Sequence, residues 1–86
     1  MAIEYTESAL KRGYTPTEIE WVMFHPRAYV PDFEEARLPG HNPPHLWIGY
    51  APDGDLLEIM AEPRHERVLE VFHVMPARAK FITRYP

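Results

Sequence analysis

The sequence contains no cysteine and no apolar run long enough to cross a bilayer. Without cysteine the chain can form neither disulfides nor thiolate metal sites, and small secreted domains usually depend on disulfides. Its first residues also lack the basic start and the apolar run of a secretory signal. These absences argue against a secreted disulfide scaffold and against a membrane protein, so we expect a cytoplasmic protein.

The length and the apolar content fit one small folded domain. The 86 residues are 45% hydrophobic and 13% aromatic, which is too apolar for a disordered tail. A chain of this length has room for one core, built from a sheet and a few helices. We therefore expect a single domain over residues 1–86, with any active site on the surface of its one sheet.

Charge is distributed unevenly along the chain. The net charge is −4, and residues 1–70 carry all 13 acids together with 6 of the 9 basic side chains. Residues 71–86 carry only Arg78, Lys80 and Arg84, without any acid. This basic end of an acidic chain is either a phosphate-binding patch or a solvated tail.

Two short helices are predicted near the N-terminus, over residues 7–12 and 16–24. Gly13 ends the first helix, because glycine tolerates the left-handed backbone at a helix end. Thr15 and Glu18 have the spacing of a capping box at the start of the second helix. These signals place two helices ahead of the main strands.

Alternating apolar residues predict strands, which cover residues 3–5, 46–51, 55–61 and 67–75. A short edge strand is expected near Tyr29, a loop over 34–44, and two helical turns over 77–85. In the last strand, strict alternation places His73 on one apolar face with Val71. This order of elements predicts an α+β domain with an antiparallel sheet and helices packed on one face.

Short motifs follow one another along most of the chain, at Ser8–Gly13, Thr17–Glu20, His25–Pro26, Leu46–Tyr50, Asp55–Ile59 and Pro76–Lys80. In this order they resemble the BrnT-like toxins of bacterial type II toxin–antitoxin pairs. Those proteins share a Lys-His-Gly helix end, a strand ending in Ile-Gly, and a Ser-Ala-Arg segment before a basic helix. Arg12 and Pro76 stand where the family has histidine and serine.

The resemblance implies a RelE-like two-layer fold and an RNA-cleaving activity that stops translation, with the RNA 2′-hydroxyl as nucleophile. It also implies a DNA-binding antitoxin as partner. We expect no cofactor. Because of the differences at Arg12 and Pro76, two alternatives stay open: a non-catalytic protein-binding module, and a degenerate toxin that binds an antitoxin without cutting RNA.

Candidate catalytic residues are Arg78, Lys80 and His73. The planar fork of arginine matches two phosphate oxygens, and lysine supplies a compact charge. Histidine is the residue type most used as a general acid or base, so His73 is the candidate for that role, and a core histidine is the alternative. Lys11, Arg12, Arg84 and Tyr85 are the candidate RNA-binding residues; the tyrosine would stack on a base or donate a proton.

Three further groups of residues allow a functional or a structural interpretation. His41 and His45 lie close together in a loop, but without further ligands at a standard spacing we predict no metal site. The aromatic residues Tyr29, Phe33, Trp47 and Tyr50 form either a platform for bases or part of the core. The proline-rich segment 38–44 is either a partner-binding segment or an ordinary loop.

Overall fold

A computed structural model describes residues 2–36 and 38–86. In this part of the chain, one five-stranded mixed sheet is flanked by three helices, which confirms the α+β class. The elements in chain order are β1 (Ala2–Tyr5), α1 (Glu7–Leu10), α2 (Pro16–Phe24), β2 (Ala28–Val30), β3 (His45–Tyr50), β4 (Leu56–His65), β5 (Val68–Pro76) and α3 (Ala79–Arg84). None of these helices is long and apolar enough to span a membrane.

The strands lie side by side in the order β1-β5-β4-β3-β2. The pairs β2–β3, β3–β4 and β4–β5 are antiparallel as expected, but β1 is parallel to β5, with Ile3 opposite Leu69. The prediction of an entirely antiparallel sheet is therefore wrong for β1. Alternation within a segment predicts a strand but carries no information about which strand will be its neighbour.

The predicted signals at the helix ends are present in the structure. The Thr15 side chain accepts a hydrogen bond from the backbone of Glu18 at 3.2 Å, and Glu18 Oε1 accepts one from the backbone of Thr15 at 2.9 Å. These bonds satisfy two of the unpaired N–H groups at the start of α2. α1 ends at Leu10, slightly earlier than predicted, and Gly13 has a φ of 88°.

Each face of the sheet has its own core. α1 and α2 cover one face, which we call the helical face; Ile19, Val22, Trp47, Ile59 and Val71 are among its buried residues. The opposite face, which we call the α3 face, has a smaller core of Leu46, Ile48, Met60 and Phe81. Phe81 belongs to α3, so the prediction that all helices pack on one face is wrong for the last one.

The strands β4 and β5 are joined by a tighter turn than the sequence suggests. The predicted strand ends at residue 61, but β4 continues to His65, and Arg67 in the turn has a φ of 66°. The pairing of β4 with β5 is irregular between Pro63 and His65. An irregularity of this kind accommodates a proline, which cannot donate to a regular ladder.

A second irregularity in the same pair changes the face on which His73 lies. Met60 is opposite His73 while the next residue, Ala61, is opposite Val71, so Phe72 is an extra residue in β5. Val71 belongs to the core of the helical face, whereas Met60, the partner of His73, belongs to the α3 face. The prediction that His73 and Val71 share a face is wrong, because a bulge interrupts the alternation.

Candidate functional site

A buried carboxylate stands at the centre of the α3 face. Glu58 lies on β4 opposite Ile48, and its exposed fraction is 0%. Its Oε1 accepts hydrogen bonds from the backbone N of Arg78 at 2.8 Å and from the Nε of Arg78 at 3.1 Å. Its Oε2 accepts from Arg78 Nη2 at 2.7 Å and lies 2.9 Å from His73 Nε2. One carboxylate therefore fixes the positions of an arginine and a histidine.

The contacts of Glu58 determine its charge. Burial alone raises the pKa of this carboxyl, but the hydrogen bonds from Arg78 and His73 outweigh burial and lower the pKa below its ordinary value. The hydrogen bond to Glu58 in turn raises the pKa of Arg78. Glu58 and Arg78 are therefore a charged pair at neutral pH.

The carboxylate also fixes the orientation of the His73 ring. When the imidazole is neutral, Nε2–H donates to Glu58 and Nδ1 keeps its lone pair. The side chain of His73 is 28% exposed, so it is within reach of solvent and of a ligand. A histidine held in one tautomer beside a carboxylate is an arrangement that general acid–base catalysis uses.

His73 and Arg78 open onto a groove beside α3. A depression of about 240 Å³ is lined by both residues together with Lys80, Phe81 and Glu34 of the β2–β3 loop. A neighbouring depression of about 250 Å³ shares the last three of these residues and adds Phe33 and Arg84. We call these two depressions together the basic groove.

The cationic side chains of the basic groove pack over aromatic rings. Arg78 Cζ lies 5.2 Å from the centroid of Phe81, and Lys80 Nζ lies 4.9 Å from the same centroid. Arg84 Cζ lies 5.4 Å from the centroid of Tyr85. Cation–π contacts of this kind hold charges in place while leaving them available to an anion. The structure thus places the candidates Arg78, Lys80, Arg84, Tyr85 and His73 on one face of the sheet.

Lys11 and Arg12 do not join this group. They follow α1, which packs through Ala9 into the core of the helical face, and both side chains are exposed there. Arg78 pairs with Glu58 on the opposite face. The sequence-predicted site residues therefore separate into two sets on different faces of the sheet.

Sequence reasoning missed Glu58, although the sequence contains a signal for it. Glu58 interrupts the apolar strand segment Leu56–Met60, and a carboxylate in such a segment needs a buried partner. The identity of that partner depends on the bulge in β5 and on the course of the chain after β5. Neither of these is visible in the sequence.

A second Glu–His–Arg cluster lies farther along β4. Glu62 Oε1 is 2.8 Å from His41 Nδ1, and its Oε2 is 3.2 Å from Arg64 Nη1 and accepts a hydrogen bond from the backbone N of Asn42 at 2.8 Å. Burial alone raises the pKa of Glu62, but the hydrogen bonds from His41 and Asn42 lower it below its ordinary value. These bonds fasten the loop before β3 to the sheet.

His41 lies in the loop before β3, whereas His45 is the first residue of β3, and their side chains have different contacts. His41 contacts Glu62, whereas His45 Nδ1 lies 2.7 Å from the Tyr29 hydroxyl. Among residues 2–36 and 38–86, no three histidine, cysteine, aspartate or glutamate side chains are grouped so that they could hold a metal ion.

The four candidate aromatic residues do not form one platform. Trp47 is buried in the core of the helical face, and Tyr29 packs beside it with ring centroids 5.1 Å apart. Phe33 packs edge-on against Phe81 on the α3 face at 6.1 Å. Tyr50 is exposed at the end of β3. For Trp47, the core interpretation is therefore the right one.

Comparisons with protein-family models, with curated proteins and with solved structures found no match for this chain. The function must therefore be inferred from the chemistry of the basic groove.

Proposed function

We propose that this chain is the toxin component of a bacterial type II toxin–antitoxin pair, and that it cleaves RNA in the basic groove. The observation that carries the proposal is that Glu58 contacts both His73 and Arg78, and that these two residues line the groove together with Lys80. An RNA-cleaving site needs a proton acceptor and positive charge around one phosphate. These side chains supply both.

The reaction uses the RNA's own 2′-hydroxyl. His73 Nδ1 accepts the 2′-hydroxyl proton as the oxygen attacks the adjacent phosphorus. The P–O5′ bond breaks, the 5′-oxygen takes up a proton from the imidazolium or from solvent, and a 2′,3′-cyclic phosphate remains. Arg78 and Lys80 stabilise the charge that grows on the phosphate oxygens. Glu58 positions both His73 and Arg78 and stabilises the imidazolium.

The test is RNA cleavage by the purified chain, with detection of 2′,3′-cyclic phosphate ends. Loss of a general acid or base typically costs 100- to 10,000-fold in rate, so we expect a loss of about this size for His73→Ala. His65→Ala is the matched control, because His65 is exposed in the β4–β5 turn region. Cutting by the His73→Ala variant at the full rate would contradict the mechanism, and the absence of any cutting by the parent chain would contradict the activity.

We further propose that the protein acts in the cytoplasm and is neutralised there by a DNA-binding antitoxin that covers the basic groove. An acidic segment of the partner would complement Lys80 and Arg84. Co-expression with the neighbouring reading frame of the genome tests this partner. A stable complex that blocks RNA cleavage is the expected result, and independent purification of the two proteins would contradict it.

One observation favours a second candidate, a degenerate toxin that binds an antitoxin without cutting. Arg78 uses its Nε and its Nη2 to pair with Glu58, so much of its donor capacity serves the fold. In that case induction of the chain in bacteria leaves growth and RNA intact, while the complex with the neighbouring protein still forms. Growth arrest with RNA decay on induction of the chain alone separates the active toxin from this alternative.

A further inference from the structure

Glu34 is the acidic side chain among the described residues that line the basic groove. Glu34, in the loop between β2 and β3, lines both depressions of the groove together with Lys80 and Phe81. Within residues 2–36 and 38–86, none of the ion pairs and none of the hydrogen bonds involves Glu34. Lys80, which lines both depressions, lies over the Phe81 ring. Glu34 therefore keeps its acceptor capacity inside a groove that is otherwise basic.

A carboxylate at this position opposes a bare phosphate by charge repulsion. A ligand that fits the whole groove must therefore present an anionic part to the lysine and arginine side chains and N–H donors to Glu34. A nucleotide has both parts, because the phosphate is separate from the Watson–Crick edge of its base. Single-stranded RNA exposes these edges, and proteins read them by hydrogen bonds and by contact with aromatic side chains.

The walls next to Glu34 suit the flat face of a base. Phe33 precedes Glu34 in the chain, and its ring packs edge-on against Phe81 at 6.1 Å between centroids. Both rings line the same depression as Glu34 and Arg84. This depression thus combines an apolar wall with a carboxylate, and cations lie close by for the phosphate.

Guanine is the base whose donors match a carboxylate best. Its N1–H and N2 amino groups point in the same direction and donate to two oxygens at once, as an arginine fork does. Adenine, cytosine and uracil each offer a single donor group on that edge. We propose that Glu34 is a specificity-determining residue, which seats a guanine of the RNA against Phe33 and Phe81 while Lys80 and Arg84 hold the phosphate. This proposal rests on the proposed function as an RNA-binding protein.

The experiment measures the binding of short oligouridines in which every 2′-hydroxyl is replaced by fluorine, so that they bind without being cut. One central position carries guanine, inosine, adenine or cytosine. A bidentate contact to a base gives about ten- to hundredfold discrimination, so we expect the guanine strand to bind about that much tighter than the adenine strand. Inosine keeps N1–H and lacks the amino group, and its affinity should fall between the two.

Glu34→Gln replaces one acceptor oxygen with a donor and should remove most of this preference. Its affinity for the adenine strand should stay equal or increase, because the repulsion of phosphate is lost. Glu35→Gln is the matched control, since Glu35 is exposed and lines neither depression. Equal affinity of the parent chain for all four strands, or an intact guanine preference in Glu34→Gln, would overturn the specificity and leave RNA binding standing. A failure to bind any strand would overturn the proposed function together with the specificity.

Discussion

Replacing Arg78 by alanine should destabilise the domain as well as affect its chemistry. The substitution removes the Nε and Nη2 contacts from Glu58, whose exposed fraction is 0%. Loss of one partner from a buried ion pair typically costs about 3–5 kcal/mol. The Arg78 side chain is 40% exposed, and the contact with His73 and the backbone N–H at position 78 remain for Glu58. We therefore expect a smaller loss, of about 2 kcal/mol.

In a domain of this size, 1 kcal/mol shifts the unfolding temperature by about 4–8 °C, so Arg78→Ala should lower it by about 8–16 °C at neutral pH. Circular dichroism during heating measures this shift, and urea unfolding gives the free energy. Arg27→Ala is the matched control, because Arg27 is exposed and follows α2. It should unfold within about 2 °C of the parent chain.

A double-mutant cycle with Glu58→Gln separates the ion pair from other effects of the substitutions. Once the carboxylate is neutral, removing Arg78 no longer leaves a buried charge with fewer partners. The loss of stability in the double variant should therefore fall short of the sum of the single losses by about 1–3 kcal/mol. Additive losses, or an Arg78→Ala variant as stable as the Arg27→Ala control, would refute the structural role that we assign to the pair.

Three further predictions concern acid stability, RNA binding and packing. Because folding lowers the pKa of Glu58, the contribution of this carboxylate to stability is complete above its ordinary pKa of 4.5 and is lost as the pH falls from there through the pKa of the folded state. Glu58→Gln should flatten this part of a curve of unfolding free energy against pH. An unchanged curve would contradict the assignment. Lys80→Ala should weaken RNA binding and reduce the dependence of log K on log salt concentration by about 0.7, whereas Lys11→Ala on the helical face should leave both unchanged in the same titrations. Gly49→Ala should lower the free energy of unfolding, measured in urea, by about 1–3 kcal/mol. The reason is that a Cβ at this position would lie 3.1 Å from Val22 Cγ1 and 3.3 Å from the backbone N of Arg27. A variant as stable as the parent would show that α2 moves away easily.

Local signals predicted most of the secondary structure, because each of them acts over a few residues. The capping box of Thr15 and Glu18 started α2 where the sequence placed it, and the glycine in the turn before β4, Gly54, has a φ of 100°. The parallel neighbour of β1 and the position of α3 could not be predicted in this way. Both depend on which apolar surfaces meet after the chain has crossed the sheet.

The candidate site was predictable only in part, for a related reason. The acid-free end of the chain identified Arg78, Lys80 and Arg84, and these residues do lie along one groove. Lys11 and Arg12 were candidates because they lie in the motif Ser8–Gly13, and the order of motifs gives no information about the face of the sheet on which a residue lies. Glu58 was not predicted, because alternation identifies a strand but does not show which side chain pairs with an acid buried within it.

The bulge in β5 connects these observations. Without the extra residue at Phe72, alternation from Val71 would direct His73 to the helical face, among the apolar residues under α1 and α2. Glu58 would then have only Arg78 to offset its burial. With the bulge, the buried carboxylate holds His73 and Arg78 at once, and the contacts that stabilise its charge also fix the two side chains that border the groove. Glu58 therefore serves both the fold and the proposed chemistry. The effect of a substitution at Glu58 can be interpreted only when stability and RNA cleavage are measured for the same variant.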